Sequence, residues 1–133
     1  MDGELGDAAA AREQYAALVP VRERVQGREH PDTLTARANL AYWTGRAGDA
    51  VGARELCAAL VPVRERVQGR EHPDTLTARA NLAYWTGRAG DAVGARELCA
   101  ALLPVRARVL GAGHPATVTT REQLAHWTAR ARP

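Results

Sequence analysis

With 133 residues, the chain has room for one compact domain or a short repeat array, enough in either case to bury a real core. Its cations are all arginine, phenylalanine and lysine are absent, and the apolar 46% is mostly alanine, leucine and valine, a composition suited to close helix packing. The net charge of +3 is interleaved with acids, as in Arg64-Glu65-Arg66, which excludes the gathered basic face of a nucleic-acid binder, and no apolar run is long enough to cross a bilayer.

The N-terminal stretch MDGELGDAAAAREQ is acidic and lacks the basic and apolar regions of a signal peptide. The expected setting is therefore cytoplasmic, with neither nucleic acid nor membrane as partner. A first helix is predicted over about 7–26, within a leading segment 7–27, and a second over 31–47. The third, over 49–68, has Asp49 as a natural N-cap and Gly69 as its stop. The fourth, over 73–89, opens with Pro73 at its first position and Asp74 where the helix dipole favours an anion, and Gly90 can close it in a left-handed conformation. Helices over 91–110 and 115–131 complete a set of six. They alternate between a first type, opening at His-Pro, and a second type, opening at Gly-Asp-Ala.

The alternation is a repeat. Shifting the chain by 42 residues, the spacing of Pro20 and Pro62, matches every position from Ala16 to Leu60 with Ala58 to Leu102, and a diverged third copy follows. Such a period means stacked supersecondary units: here 31–69, 73–111 and a C-terminal capping helix within 115–132, in one array over 1–133. Along the second-type helix Ala53, Leu56, Leu60, Val63 and Val67 form an apolar stripe that runs through Pro62 without changing phase. Each second-type helix is thus expected to continue through its proline, with a kink that helps set the superhelical curvature. Changes of Ala80, Asn81 and Tyr84 to Glu122, Gln123 and His126 suit a last helix with solvent on one side.

Several residues invite chemistry and are better read as structure. Cys57 and Cys99 share a slot in successive layers, about 8–10 Å apart and beyond disulfide reach, and read as small buried hydrophobes. Trp43, Trp85 and Trp127 point about 100° away from their neighbours Tyr42, Tyr84 and His126 and are expected to fill the layer interface. His30, His72 and His114 lie a repeat apart, cannot converge on one metal, and are expected to cap helix starts. His30, Asp32 and Thr33 crowd a helix entrance with no oxyanion donors, and no phosphate loop or nucleophile elbow occurs, so no enzyme, cofactor or metal is expected.

In NLAYWTGRAGDAVGARELCAAL the leucine-small pair Leu40-Ala41, the turn glycine Gly48 and the small crossing residue Ala53 resemble the tetratricopeptide repeat. The long period and the VRERVQGREHPDT segment are similar to the 42-residue variety of kinesin light chains. Thr44, Cys57 and Arg37 stand where the family usually has aromatic residues. HEAT-type repeats share this length range, but the short Gly48-Asp49 junction and the Ala41–Ala53 crossing favour the tetratricopeptide type. The resemblance implies an all-α, right-handed α-solenoid of stacked antiparallel helix pairs.

The resemblance also implies that first-type helices line a concave groove. Its layers would be Thr35, Ala38, Asn39, Tyr42 and Arg46; then Thr77, Ala80, Asn81, Tyr84 and Arg88; then Thr119, Glu122, Gln123, His126 and Arg130. Asn39 and Asn81 match a slot where peptide-binding relatives hold the ligand backbone, and an amide can both donate and accept. The arginines would take acidic groups, and the tyrosines offer flat anchors. The expected function is a protein–protein interaction module for an extended, partly acidic peptide or a partner domain. Two alternatives stand beside it: a self-associating array without an evolved ligand, such as a domain-swapped homodimer exchanging equivalent helix pairs, and the sensing or oligomerising part of a larger regulator.

Overall fold

The computed structural model describes residues 2–133. It contains helices α1 (Asp2–Gln26), α2 (Pro31–Arg46), α3 (Ala50–Gln68), α4 (Pro73–Arg88), α5 (Ala92–Leu110) and α6 (Pro115–Arg130), and no strand among the described residues. Each helix packs on the next in chain order, giving a stack of antiparallel helix pairs, an α-solenoid. Eleven of the twelve helix ends follow the sequence reading to within one residue. The exception is the start of α1: Gly6-Asp7 repeats the letters of Gly48-Asp49, yet the helix runs through it from Asp2. No first-type helix precedes α1 in the described residues, so nothing packs there to enforce the turn.

Local chemistry sets the junctions. At the end of α2, Gly48 adopts φ +104°, its N–H donates to the Gly45 carbonyl at 3.0 Å, and the Asp49 N–H donates to the Thr44 carbonyl at 3.1 Å. This pair of bonds is a Schellman closure, which needs a residue free of the left-handed penalty. Asp49 then opens α3, its Oδ1 accepting from the Gly52 N–H at 2.8 Å. At the first-type helix starts the expected histidine caps are present: Nδ1 of His30, His72 and His114 accepts from the backbone N–H of Asp32, Asp74 and Ala116 at 3.1, 3.1 and 3.0 Å. A proline follows each histidine at the first helical position, where no N–H is missed.

All three second-type helices continue through their prolines. In α3 both Pro62 and Ala58, whose carbonyl loses its donor, lie on the exposed side, so water can replace the missing bond. The apolar stripe differs from its expected course beyond that point. Ala53, Cys57, Leu60, Val61 and Arg64 are buried, whereas Val67 is 39% exposed. The buried line thus continues through an arginine, which a reading of apolar letters alone passes over.

The core is repeated and crosses layers. Ala41, Ala53, Cys57 and Trp85 form one cluster, and Ala83, Ala95, Cys99 and Trp127 form its equivalent. Each tryptophan therefore packs on small residues of the preceding unit, as expected for a layer interface. Trp43 is only half-buried, because among the described residues no earlier first-type helix supplies the wall that Trp85 and Trp127 meet. Exposed ion pairs also link the layers: Arg66 with Glu29, and Arg108 with both oxygens of Glu71 at 3.1 and 2.6 Å. Pairs so open to solvent add little net stability.

Cys57 and Cys99 are buried free thiols. Burial pushes the Cys57 thiol up to about 11 and raises that of Cys99 as well, because a thiolate there would lose its hydration. Cys57 at pH 8 thus holds about a hundredfold less thiolate than an unperturbed thiol. Labelling by a disulfide reagent is expected to be slow in the native chain and immediate in denaturant. Fast native labelling of both thiols would mean that the layers open readily.

Candidate functional site

Three recesses open between consecutive helix pairs on the side where α2, α4 and α6 lie side by side. The first is lined by Tyr15, Leu18 and Arg22 from α1 and by Asp32, Thr35 and Asn39 from α2. The second, of about 80 Å³, has Cys57, Leu60 and Arg64 of α3 as its floor, between Ala38 and Tyr42 of α2 and Asp74, Thr77 and Asn81 of α4. The third, of about 210 Å³, repeats this build one layer on: Cys99, Leu102 and Arg106 form the floor, Asn81 and Tyr84 one wall, Thr119 and Gln123 the other. In the second and third recesses a second-type helix thus forms the floor and two first-type helices form the walls, whereas the first has only α1 and α2.

Among the residues singled out from the sequence, Asn81 lines both the second and third recesses, and its exposed amide has no hydrogen-bond partner among the described residues. Tyr42, Tyr84 and Gln123 line a recess each, with Tyr42 and Tyr84 44% and 39% exposed. Asn39 is different: its amide donates to the Thr35 carbonyl of its own helix at 3.1 Å and is half-buried. The arginines lie toward the helix ends. Arg46 Nη1 donates to the Tyr42 hydroxyl at 3.4 Å, with the guanidinium 5.8 Å from that ring's centre. Arg130 Nε donates to His126 Nε2 at 3.0 Å, and Arg88 is exposed. Arg46, Arg88, Arg130 and His126 line none of these three recesses, so the structure brings together the amides and tyrosines but not the terminal arginines.

The buried charges of the second and third recesses are two arginines that the sequence reading did not single out as site residues. Arg64 and Arg106 are 6% and 8% exposed. Burial lowers the pKa of both below the ordinary guanidinium value, and a neighbouring arginine adds to it at each, Arg37 at Arg64 and Arg79 at Arg106; the carboxylate of Asp74 partly opposes this at Arg64. Their letters carry one signal: Arg64 falls four residues after Leu60 and seven after Cys57, on the buried line of α3. Among the described residues no three histidine, cysteine, aspartate or glutamate side chains gather to hold a metal ion, and no helix is long and apolar enough to cross a membrane.

Comparison with known proteins fits this geometry. A model of the tetratricopeptide repeat matches residues 33–74 and 75–116. A solved structure of a kinesin light chain-like protein from Podospora anserina, with nearly identical tetratricopeptide-like repeats, aligns over 92% of this chain and 58% of its own, with a TM-score of 0.84 and 25% identity. A second structure, of a single-residue variant of that fungal protein, aligns over 92% and 57%, with a TM-score of 0.85 and 25% identity. The chain therefore spans 57–58% of the length of the solved structures it matches. No curated protein matches it.

Proposed function

Because the chain belongs to the tetratricopeptide repeat family, whose members generally mediate protein–protein interaction, we propose that it is a binding module for an extended, partly acidic peptide lying across α2, α4 and α6. The observation that carries this reading is Asn81. Its amide is exposed, has no partner among the described residues, and stands between two recesses of the same build. A peptide backbone crossing from one recess to the next would offer that amide both a carbonyl and an N–H. Tyr42 and Tyr84 would flank the path with flat, half-exposed rings, and Arg46, Arg88 and Arg130 would hold acidic groups at its edge. This is a scaffold's chemistry and not a catalyst's.

The test is a panel of short acidic, neutral and basic peptides read by fluorescence anisotropy. Acidic members are expected to bind best. Asn81→Ala should weaken them about tenfold, the scale of a lost pair of hydrogen bonds, while Asn39→Ala should change little because that amide already serves its own helix. A panel with no binder, or binders indifferent to Asn81→Ala, would overturn the reading.

A further inference from the structure

The third unit departs from the second around one side chain. Arg64 has acceptors for its charge: Gln68 Oε1 accepts from Nη1 at 3.2 Å, and the Asp74 carboxylate lies 3.8 Å away. One repeat later those two slots hold Leu110 and Ala116. Arg106, in the slot of Arg64 and about as buried, has lost the acid that faces its counterpart. What remains is neutral and serves one nitrogen: Nη1 donates to the Ala116 carbonyl at 3.3 Å and to the Thr120 hydroxyl at 3.0 Å. The Nε–H has no acceptor. The Arg64 Nε–H is also unmet, but there the charge faces Asp74.

A guanidinium held out of water without a counter-charge is costly, and the neighbouring Arg79 adds a like charge, as Arg37 does at Arg64, where Asp74 opposes it. The cost would be relieved by an anion entering the recess of about 210 Å³ that Arg106 lines. Gln123 lines the same recess and buries its Oε1 without a donor. Both atoms are closed to solvent as the side chains stand, so a carboxylate accompanied by a peptide N–H would meet them once each side chain turns into the recess, the anion taking the Arg106 Nε–H and the N–H serving Gln123.

We propose that the recess between α4, α5 and α6 is a carboxylate pocket, in which Arg106 receives an acidic group of the bound peptide and Gln123 its adjoining N–H. The proposal rests on the peptide-binding reading and names the chemistry of one of its subsites. The carboxylate can come from an aspartate or glutamate side chain or from a peptide C-terminus, and small probes separate the two.

The test follows the arginine Nε–H signals of the full chain by 15N-edited NMR while adding N-acetyl-aspartyl amide, whose carboxylate is in the side chain, or N-acetylglycine, whose carboxylate is terminal. N-acetyl-asparaginyl amide is the uncharged control. The Arg106 signal is expected to move saturably with at least one carboxylate and not with the control, while the signal of Arg64, which already faces Asp74, stays in place. Arg106→Gln should weaken binding about tenfold or more. Ala116→Asp, which puts a carboxylate in the slot of Asp74, should fill the pocket from within and abolish binding in a folded chain. No movement at Arg106, equal movement with the uncharged probe, or undiminished binding to Ala116→Asp would overturn the pocket. If the small carboxylates bind at Arg106 while no peptide binds the face, the pocket stands and the interaction module falls. If peptides bind regardless of their acids and of Arg106→Gln, the pocket falls alone.

Discussion

Replacing Trp85 with alanine is expected to destabilise the fold by about 3–5 kcal/mol, while the same replacement at Trp43 should cost only about 1–2 kcal/mol. The two residues occupy identical helices, since α2 and α4 have the same sequence, so no difference in propensity or local pattern separates them. What separates them is the layer in front. Trp85 is 6% exposed and packs on Ala41, Ala53 and Cys57 of the preceding unit, with its ring against Gly45. Removing it leaves a cavity at the joint of two units, and in a stack whose stability is carried by neighbour contacts a weakened joint lets the two sides unfold apart. Trp43 has no such wall and is half-buried. Denaturant titrations of the two variants, followed by circular dichroism, should show a lower midpoint for Trp85→Ala and a broadened transition. Equal costs would mean that the tryptophans serve their own helix pair and not the stack.

The parts of this fold that were legible in the sequence are those decided within a few residues. Asp49 caps α3, His72 caps α4 and Gly48 closes α2, each by bonds spanning at most five residues, and each could be placed from letters and spacing. The tryptophans and the small residues at Ala41 and Ala53 were also readable, because the period itself says that units stack. The rest depended on which neighbour arrives from the next layer. Arg64 and Arg106 read as surface cations, since an arginine on a helix usually is one; only the walls supplied by α4 and α6 bury them. The polar side of the candidate site was half legible for the same reason. Asn39 and Asn81 have identical sequence surroundings, yet Asn39 bonds to its own helix and Asn81 stands open between two recesses. Comparison of the copies held one further signal, the joint loss of Asp74 and Gln68 at Ala116 and Leu110, whose meaning emerges once Arg106 is known to be buried.

Gly87→Ala should reverse the usual sign of a helical glycine replacement. In an open helix interior, alanine for glycine stabilises by about 0.5–1 kcal/mol, through lower backbone entropy in the unfolded chain. Gly6 is such a position: it is helical, and an added Cβ would meet nothing within 4 Å, so Gly6→Ala is expected to raise stability by up to about that amount. At Gly87 a Cβ would lie 2.3 Å from Cζ2 of Trp127 and 2.5 Å from Cε2 and Cη2 of the same ring. Neither partner can yield easily, because the glycine is in the middle of α4's last turn and the indole, 5% exposed, is held by Ala83, Ala95 and Cys99. The ring must leave its slot and open the joint between α4 and α6, for a net loss of about 1–3 kcal/mol despite the gain in helix propensity. A double-mutant cycle isolates the cause. In a Trp127→Ala background the clash is gone, so Gly87→Ala should there become neutral or stabilising, with a coupling as large as the single-mutant penalty. A penalty that persists without the indole would place the constraint in the backbone of α4, and the close seating of each tryptophan on the glycine of the unit before it would not be what sets the spacing of the stack.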